Sequence, residues 1–367
     1  MRIVFFVHSL VSDWNHGNAH FLRGIATELI ERGHDVCVYE PRDGWSRTNL
    51  LAECGPGAAA DFRRAFPSLR TSLYDPEELD LEAAVEGADL VLVHEWNEPW
   101  LVAELRRVRA GGGTFRLLFH DTHHRAATAP AEMARFDLSA YDGVLAYGQV
   151  IRELYLRRGW APRAWTWHEA ADVRVFRPLL GRREGDLVWI GNWGDDERSE
   201  ELHEFLIEPA RRLRLRGAVY GVRYPPHALH ALERAGLEYR GWLPNHRVPE
   251  IFARYGATVH VPRRPYAEAL PGIPTIRPFE ALACAIPLIS APWRDVEGLF
   301  HPGRDYLVAR DRKEMTHCLE AVLSNRLLAA SLAAAGRKTI LERHTCAHRV
   351  DELLAIDSGL ATALEAA

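Results

Sequence analysis

The chain has 367 residues, enough for two domains with sizeable cores. Hydrophobic content of 47% and charged content of 26% are those of a soluble globular protein. A net charge of −5 provides no global field for nucleic acid, so no nucleic-acid partner is expected.

Lysine occurs only as Lys313 and Lys338, so the basic residues are almost all arginine, which suits bidentate phosphate contacts. A codon-composition bias explains most of that excess. Cys37, Cys54, Cys284, Cys318 and Cys346 form no C-x-x-C pair and fit a reduced, cytoplasmic protein. The N-terminus, MRIVFFVHSL, reads as a first strand rather than a signal segment. No apolar run reaches the length of a membrane span, so any membrane contact would be peripheral.

Residues 3–8 are a short apolar run of the kind found in buried parallel strands. A polar loop over 9–18 leads into helical spacing over 19–32, with Phe21, Leu22, Ile25, Leu29 and Ile30 on one side. Gly33 ends that helix and 36–39 is a second strand, giving a βαβ unit with a right-handed crossover. Strand signals recur at 90–94, 115–120 and 143–147, with helices over 100–109 and up to Gly159. Residues 165–178, WTWHEAADVRVFRP, have neither period, end at a proline and read as an interdomain connection.

A new series starts with a strand at 187–190 and a helix over 199–214. Further strands are expected at 217–220, 238–240, 257–261 and 288–291. The tail, 345–367, reads as an amphipathic helix with Val350, Leu353, Leu354 and Leu360 on its buried stripe. The expected fold class is α/β, with two doubly wound domains. No P-loop occurs, and no G-x-G-x-x-G follows the first strand.

The densest chemical signal is residues 271–293, PGIPTIRPFEALACAIPLISAPW. Thr275, Ile276 and Arg277 end a loop, and Pro278 sits in a first helical turn, where its missing N–H costs nothing. Glu280 is placed in the same turn, Pro287 stops the helix and a strand follows. A helix N-terminus preceded by a hydroxyl and an arginine holds phosphate well. An acid in that turn would reach sugar hydroxyls, which suggests a nucleotide-sugar site. The structural alternatives are a capping role for Glu280, a surface arginine at Arg277 and a plain loop residue at Thr275.

These features together resemble the GT-B glycosyltransferases. The likeness is to their family 4-like members, and within those to the group similar to spore maturation (CgeB-like) proteins. Residues 277–289, RPFEALACAIPLI, resemble the pattern F-E-A-x-A-C-G-x-P-x-[IV], with Ala285 in place of the glycine. Residues 172–178, DVRVFRP, are similar to the interdomain D-x-x-x-F-x-P, and 239–245, YRGWLPN, to the segment flanking the nucleotide base. GHDVCV at 33–38 resembles the first crossover of the acceptor domain.

The resemblance implies two Rossmann-like domains facing a cleft: 1–170 on the acceptor side and 171–344 binding the nucleotide sugar. A helix at 345–367 would cross back to the first domain. It implies a nucleoside-diphosphate sugar as donor, no cofactor and no bound metal, because helix dipole, backbone N–H groups and basic side chains stabilise the leaving diphosphate. Retaining members carry two glutamates with seven residues between them. Glu280 matches the second, which binds ribose, but the first position is Gly272, with Glu268 further upstream. Retention is therefore expected from the resemblance alone.

In GNWGDDER, residues 191–198, Gly191 and Asn192 would allow close backbone approach to the donor, and Arg198 would pair with the diphosphate. Asp195 and Asp196 read as ordinary acids at a helix start. Thr275, Ile276, Arg277 and Glu280 complete the donor side, with Trp242 and Tyr239 beside the base. Arg198 and Arg277 would neutralise the leaving group. His120 would contact the transferred sugar, and Asp121 would orient it or serve as base in an inverting reaction. Asn15, Gly17, Asn18 and Glu95 are acceptor-side candidates, with helix entry and core packing as their alternatives.

HDTHH at 120–124 also has the composition of a metal cluster. Neighbouring strand-end residues point in different directions, however, so metal binding ranks below sugar contact. The expected activity is sugar transfer to a small-molecule, glycan or protein acceptor. The rivals are a nucleotide-sugar epimerase, a metal-dependent hydrolase built on His120–His124 and a non-catalytic nucleotide-sugar binder. The sequence does not fix the oligomeric state.

Overall fold

Two stretches of alternating β and α pattern give two compact units. One comprises Met1–Glu169 with Cys346–Ala367, the other Ala170–Thr345. The structure, a computed structural model, describes the backbone of residues 1–365 and the side chains of residues 1–362. Residues 366–367, the end of the expected tail helix, lie outside the described residues.

The first unit is built on a seven-stranded sheet. Its strands are β1 (Arg2–Phe6), β2 (Asp35–Pro41), β3 (Ser72–Tyr74), β4 (Leu90–His94), β5 (Arg116–Asp121), β6 (Gly143–Ala146) and β7 (Ala164–Thr166). They run parallel in the order β3-β2-β1-β4-β5-β6-β7. β1 and β4 are apolar runs because both of their faces are covered by helices, as parallel sheets require. The order reverses between β1 and β4, and this opens a crevice at their carboxyl ends.

The second unit carries six parallel strands: β8 (Leu187–Ile190), β9 (Gly217–Tyr220), β10 (Leu237–Tyr239), β11 (Ala257–His260), β12 (Leu288–Ser290) and β13 (Leu307–Val308). Their order is β10-β9-β8-β11-β12-β13, so the reversal falls between β8 and β11. Two parallel sheets flanked by helices are the α/β fold expected from the sequence.

The structure corrects the sequence reading in four places. Residues 165–178 do not begin as a connection, since Trp165 and Thr166 belong to β7; three residues are too few to show a period. The segment between β2 and β4 holds helices Trp45–Cys54 and Gly57–Ala65, whose apolar faces are too narrow to register in the sequence. The helix expected over 199–214 is broken into Ser199–Leu202, a π turn over His203–Ile207 and Glu208–Leu213. Pro209 has no N–H for the carbonyl four residues back, and the wider turn before it absorbs that loss.

The fourth correction concerns Glu280. The helix runs Ile276–Ala283, so Glu280 is its fifth residue and no acid lies in the first turn. The helix starts two residues earlier than expected, at Ile276 and not Pro278, which moves the glutamate out of the first turn to a fully buried position.

The last helix, Cys346–Glu365, packs on the first, Ala19–Glu31, within the first unit. Val350, Leu353 and Leu360 are buried there, while Leu354 is half-buried. Trp167 Nε1 donates to the Arg349 carbonyl at 2.8 Å and Arg116 Nη2 to Asp357 Oδ2 at 3.0 Å, fixing the helix against the sheet. No single helix among the described residues is long and apolar enough to cross a membrane.

Candidate active site

In the second unit, the loops after β8 and β11 meet at the strand-order reversal. Arg198 follows β8 and is the best-placed cation. Its guanidinium donates to the carbonyls of Asn192, Val261 (3.2 Å) and Trp193 (3.4 Å), and its Cζ stands 5.2 Å from the Trp189 ring centroid. No carboxylate pairs with it among the described residues. Burial, then the nearby charges of Arg263 and Arg277, push its pKa down to about 9. A guanidinium held against carbonyls beside two further arginines concentrates positive charge of the kind that suits an anion.

Gly191 and Asn192 shape this loop. The Gly191 carbonyl accepts from the Tyr224 hydroxyl at 2.7 Å, and Asn192 Oδ1 accepts from the Val222 N–H at 3.0 Å. The carboxamide therefore ties the loop after β8 to the loop after β9. Arg263 pairs with Glu197 at 3.0 Å. His260, at the end of β11, is buried and bonded through Nδ1 to Ser290 Oγ at 2.9 Å. Burial and the adjacent Arg198 and Arg277 lower its pKa to about 3, so it stays neutral. Arg263 and His260 carried no motif and were not singled out in the sequence; only their places at strand ends distinguish them.

Thr275 caps the helix Ile276–Ala283 with φ of 62°, a left-handed conformation that a β-branched residue rarely adopts. Its side chain makes no capping bond. Ile276 is buried, and Arg277 is bonded to Glu280. The other Glu280 oxygen accepts from Asn245 Nδ2 at 2.7 Å. The buried glutamate is thus held by one cation and one amide. Trp242 lies half-buried in the loop after β10, three residues before Asn245. Glu268 is exposed on the helix Arg264–Ala269.

In the first unit, the loop after β1 is fastened by two buried charges. Arg23 donates to the carbonyls of Leu10 and Val11, both at 2.8 Å, and pairs with Asp13 at 2.8 Å. Glu40 accepts from Ser9 Oγ at 2.9 Å and Leu10 N at 2.5 Å. Neither residue was singled out in the sequence. Within this loop Asn15 has φ of 50° and Gly17 is exposed. Asn18 does not cap its helix; its Nδ2 donates to Glu169 Oε1 at 3.0 Å.

Four imidazoles line the ends of β1, β4 and β5. Ring centroids of His8 and His16 are 5.5 Å apart, His16 and His94 6.1 Å, and His94 and His120 5.3 Å. Burial lowers the pKa of all four, His8 to about 4 and His120 to about 3. His120 also packs on Phe21 and Trp167, and its Nε2 has no hydrogen-bond partner.

Asp121 is buried and accepts from Tyr155 Oη at 2.8 Å and His123 N at 3.0 Å; burial raises its pKa to about 6. Glu95 is also buried. It meets His94 Nε2 at 3.1 Å and accepts from Thr122 Oγ1 at 3.3 Å, and burial with the nearby Asp121 raises its pKa well above the usual range.

The HDTHH side chains separate only in part: the His123 and His124 rings stay together, with centroids 4.0 Å apart, while His120 packs on Phe21 and Trp167 and Asp121 bonds Tyr155. His123 faces Trp96 at 4.8 Å, while His124 Nδ1 bonds Thr128 Oγ1 at 2.7 Å. Among the described residues, no three or more histidine, cysteine, aspartate or glutamate side chains are grouped to hold a metal ion.

Residues 198–355 match a family model described as glycosyl transferase-like. No curated protein matches the chain. A sucrose-phosphate synthase from Thermosynechococcus elongatus is structurally similar, with a TM-score of 0.69 and 14% identity over 99% of this chain and 100% of that one. HepE from Anabaena, solved with UDP and glucose, gives 0.68 and 13% over 98% and 100%. T4 phage BGT, solved with UDP and Mn2+, gives 0.61 and 11% over 98% and 99%. The chain therefore has a GT-B fold, and its residues 198–355 are glycosyl transferase-like, the mark of a sugar-transferring enzyme.

Proposed function

We propose that the protein transfers a sugar from a nucleoside-diphosphate sugar to an acceptor. One observation carries this reading: Arg198 is fastened to three carbonyls, with Arg263 and Arg277 near it and no carboxylate of its own. A diphosphate leaving group supplies the missing negative charge, and its charge grows as the glycosidic bond breaks. Arg198 and Arg277, with the N-terminus of the helix Ile276–Ala283, stabilise that charge. Glu280, steadied by Asn245 and Arg277, is the group for the ribose hydroxyls. The UDP bound in the HepE and BGT structures supports a uridine donor.

We take the reaction to retain configuration. An inverting transfer needs a base at the acceptor. Asp121 has both oxygens engaged and no exposed surface, and His120 is held neutral with a depressed pKa that makes it a weak base. In a retaining transfer a leaving diphosphate oxygen takes the acceptor proton, so no protein base is required.

This reading needs no metal, since arginines and helix N–H groups carry the charge compensation. The CgeB-like grouping rests on the motifs at 172–178, 239–245 and 277–289. A cytoplasmic location rests on the odd number and wide spacing of the five cysteines, which form no C-x-x-C pair.

A thermal-shift screen of nucleoside diphosphates and their sugars tests the donor. One class should raise the melting temperature with EDTA present, and silence across the whole panel would reject the reading. NMR of the product anomer decides retention.

A further inference from the structure

Gly272 lies in the loop before the helix Ile276–Ala283 and has φ of 93°, a conformation that favours glycine. It is also crowded. A β-carbon there would overlap the carboxylate of Glu297 and come within 2.8 Å of its Cγ and 2.9 Å of its Cδ. The volume that a side chain at 272 would fill is thus taken by a carboxylate from another loop. That loop follows β12 and is closed on itself. Asp295 accepts from the N–H groups of Leu299 at 2.9 Å and Phe300 at 2.8 Å, and the Arg294 carbonyl accepts from the Gly272 N–H at 2.7 Å. Glu297 is half-buried within this turn.

Position matters here. Gly272 is three residues from Thr275, so at most about 10 Å of chain separates Glu297's seat from the start of the phosphate-facing helix. The Glu297 loop leaves the carboxyl end of β12, and Gly272 lies in the connection that follows the carboxyl end of the parallel strand β11, the side on which such sheets bind ligands. A carboxylate this near a diphosphate is repelled by it. It would instead suit a neutral polyhydroxylated group joined to that diphosphate, because an ionised acceptor makes the stronger hydrogen bonds to hydroxyls.

We infer that Glu297 is the carboxylate that holds the hydroxyls of the donor's sugar, and that glycine at 272 is what leaves room for it. This inference rests on the donor reading above. It also makes the absence of an acid at 272 a relocation of that acid and not a loss.

The test is isothermal titration of the full chain with UDP, GDP, ADP and dTDP and with their hexose conjugates. Wild type should bind one diphosphate and its conjugate. Glu297→Gln should weaken the conjugate roughly 10- to 100-fold while leaving the bare diphosphate within about twofold. Gly272→Ala, which displaces Glu297, should reproduce that split. Unchanged binding of both ligands by Glu297→Gln, or an equal weakening of both, would overturn the inference and leave the donor site standing. Wild type that binds no diphosphate would overturn both.

Discussion

The guanidinium of Arg198, in the loop after β8, donates to the main-chain carbonyl of Val261, just past β11, at 3.2 Å. One side chain thereby fixes two strand-end loops and points a cation at the crevice between them. A buried cation with only carbonyl partners is costly in the free protein, and an anionic ligand relieves that cost.

Arg198→Ala should therefore lower transfer by roughly 100-fold, the scale seen when one donor to developing charge is removed. Arg198→Lys should recover little of it, because an ammonium cannot reach three carbonyls and a diphosphate together. Steady-state kinetics with circular dichroism as a folding control measures this. A lysine variant near wild-type rate would contradict it.

Glu280 is buried with Asn245 at 2.7 Å. Asn245→Ala removes one of its two anchors and should cost about 1–3 kcal/mol of stability in denaturant unfolding. Asn245→Asp would set a second carboxylate against the first. Its loss should be larger at pH 7 than at pH 5, since protonation of one acid relieves the repulsion.

Ala285 has φ of 55° where the resembling motif carries glycine. Left-handed alanine costs about 1–2 kcal/mol, partly offset by its lower entropy when unfolded. Ala285→Gly should stabilise the chain by about 0.5–1 kcal/mol with activity unchanged. Differential scanning calorimetry reads this as a higher melting temperature, and a lower one would refute the strain.

The pH dependence follows from the buried histidines. His8, His16, His94, His120 and His260 all titrate below their ordinary value of 6.5, His8 at about 4 and His120 and His260 at about 3. The unfolded chain binds protons first as pH falls, so stability is full above about 6.5 and is lost on acidification towards those lower values. Buried carboxylates run the other way: Asp121, raised from 3.8 to about 6, and Glu95 and Glu40, also raised by burial, cost stability as pH rises through their titrations. Five histidines outweigh these three carboxylates, so unfolding midpoints should drop from pH 7 to pH 4. His94→Gln should flatten that slope, while Asp121→Asn should steepen it.

Much of the fold was legible because parallel strands buried on both faces read as unbroken apolar runs; β1, β4, β5, β8 and β11 all stood out. β3, β7 and β13 did not, because edge strands of two or three residues carry no period. The grouping of the proposed donor residues was legible in part: Arg198, Arg277 and Glu280 were singled out from their places beside strand and helix ends. Arg263, His260 and Asn245 were not, because a lone charged or polar residue looks the same in sequence whether it faces water or a ligand.

The amino-acid sequence by itself determined two doubly wound units and a helix start near 275–278, since both follow from local periodicity and from residues adjacent in the chain. Tertiary structure alone decided which side chains share a volume. It placed Glu280 past the first turn that its spacing suggested, locked Asp121 between Tyr155 and the His123 N–H, and seated Glu297 where Gly272 has no side chain. Those relationships join residues up to 35 positions apart through the packing of separate loops, and no local pattern encodes such packing.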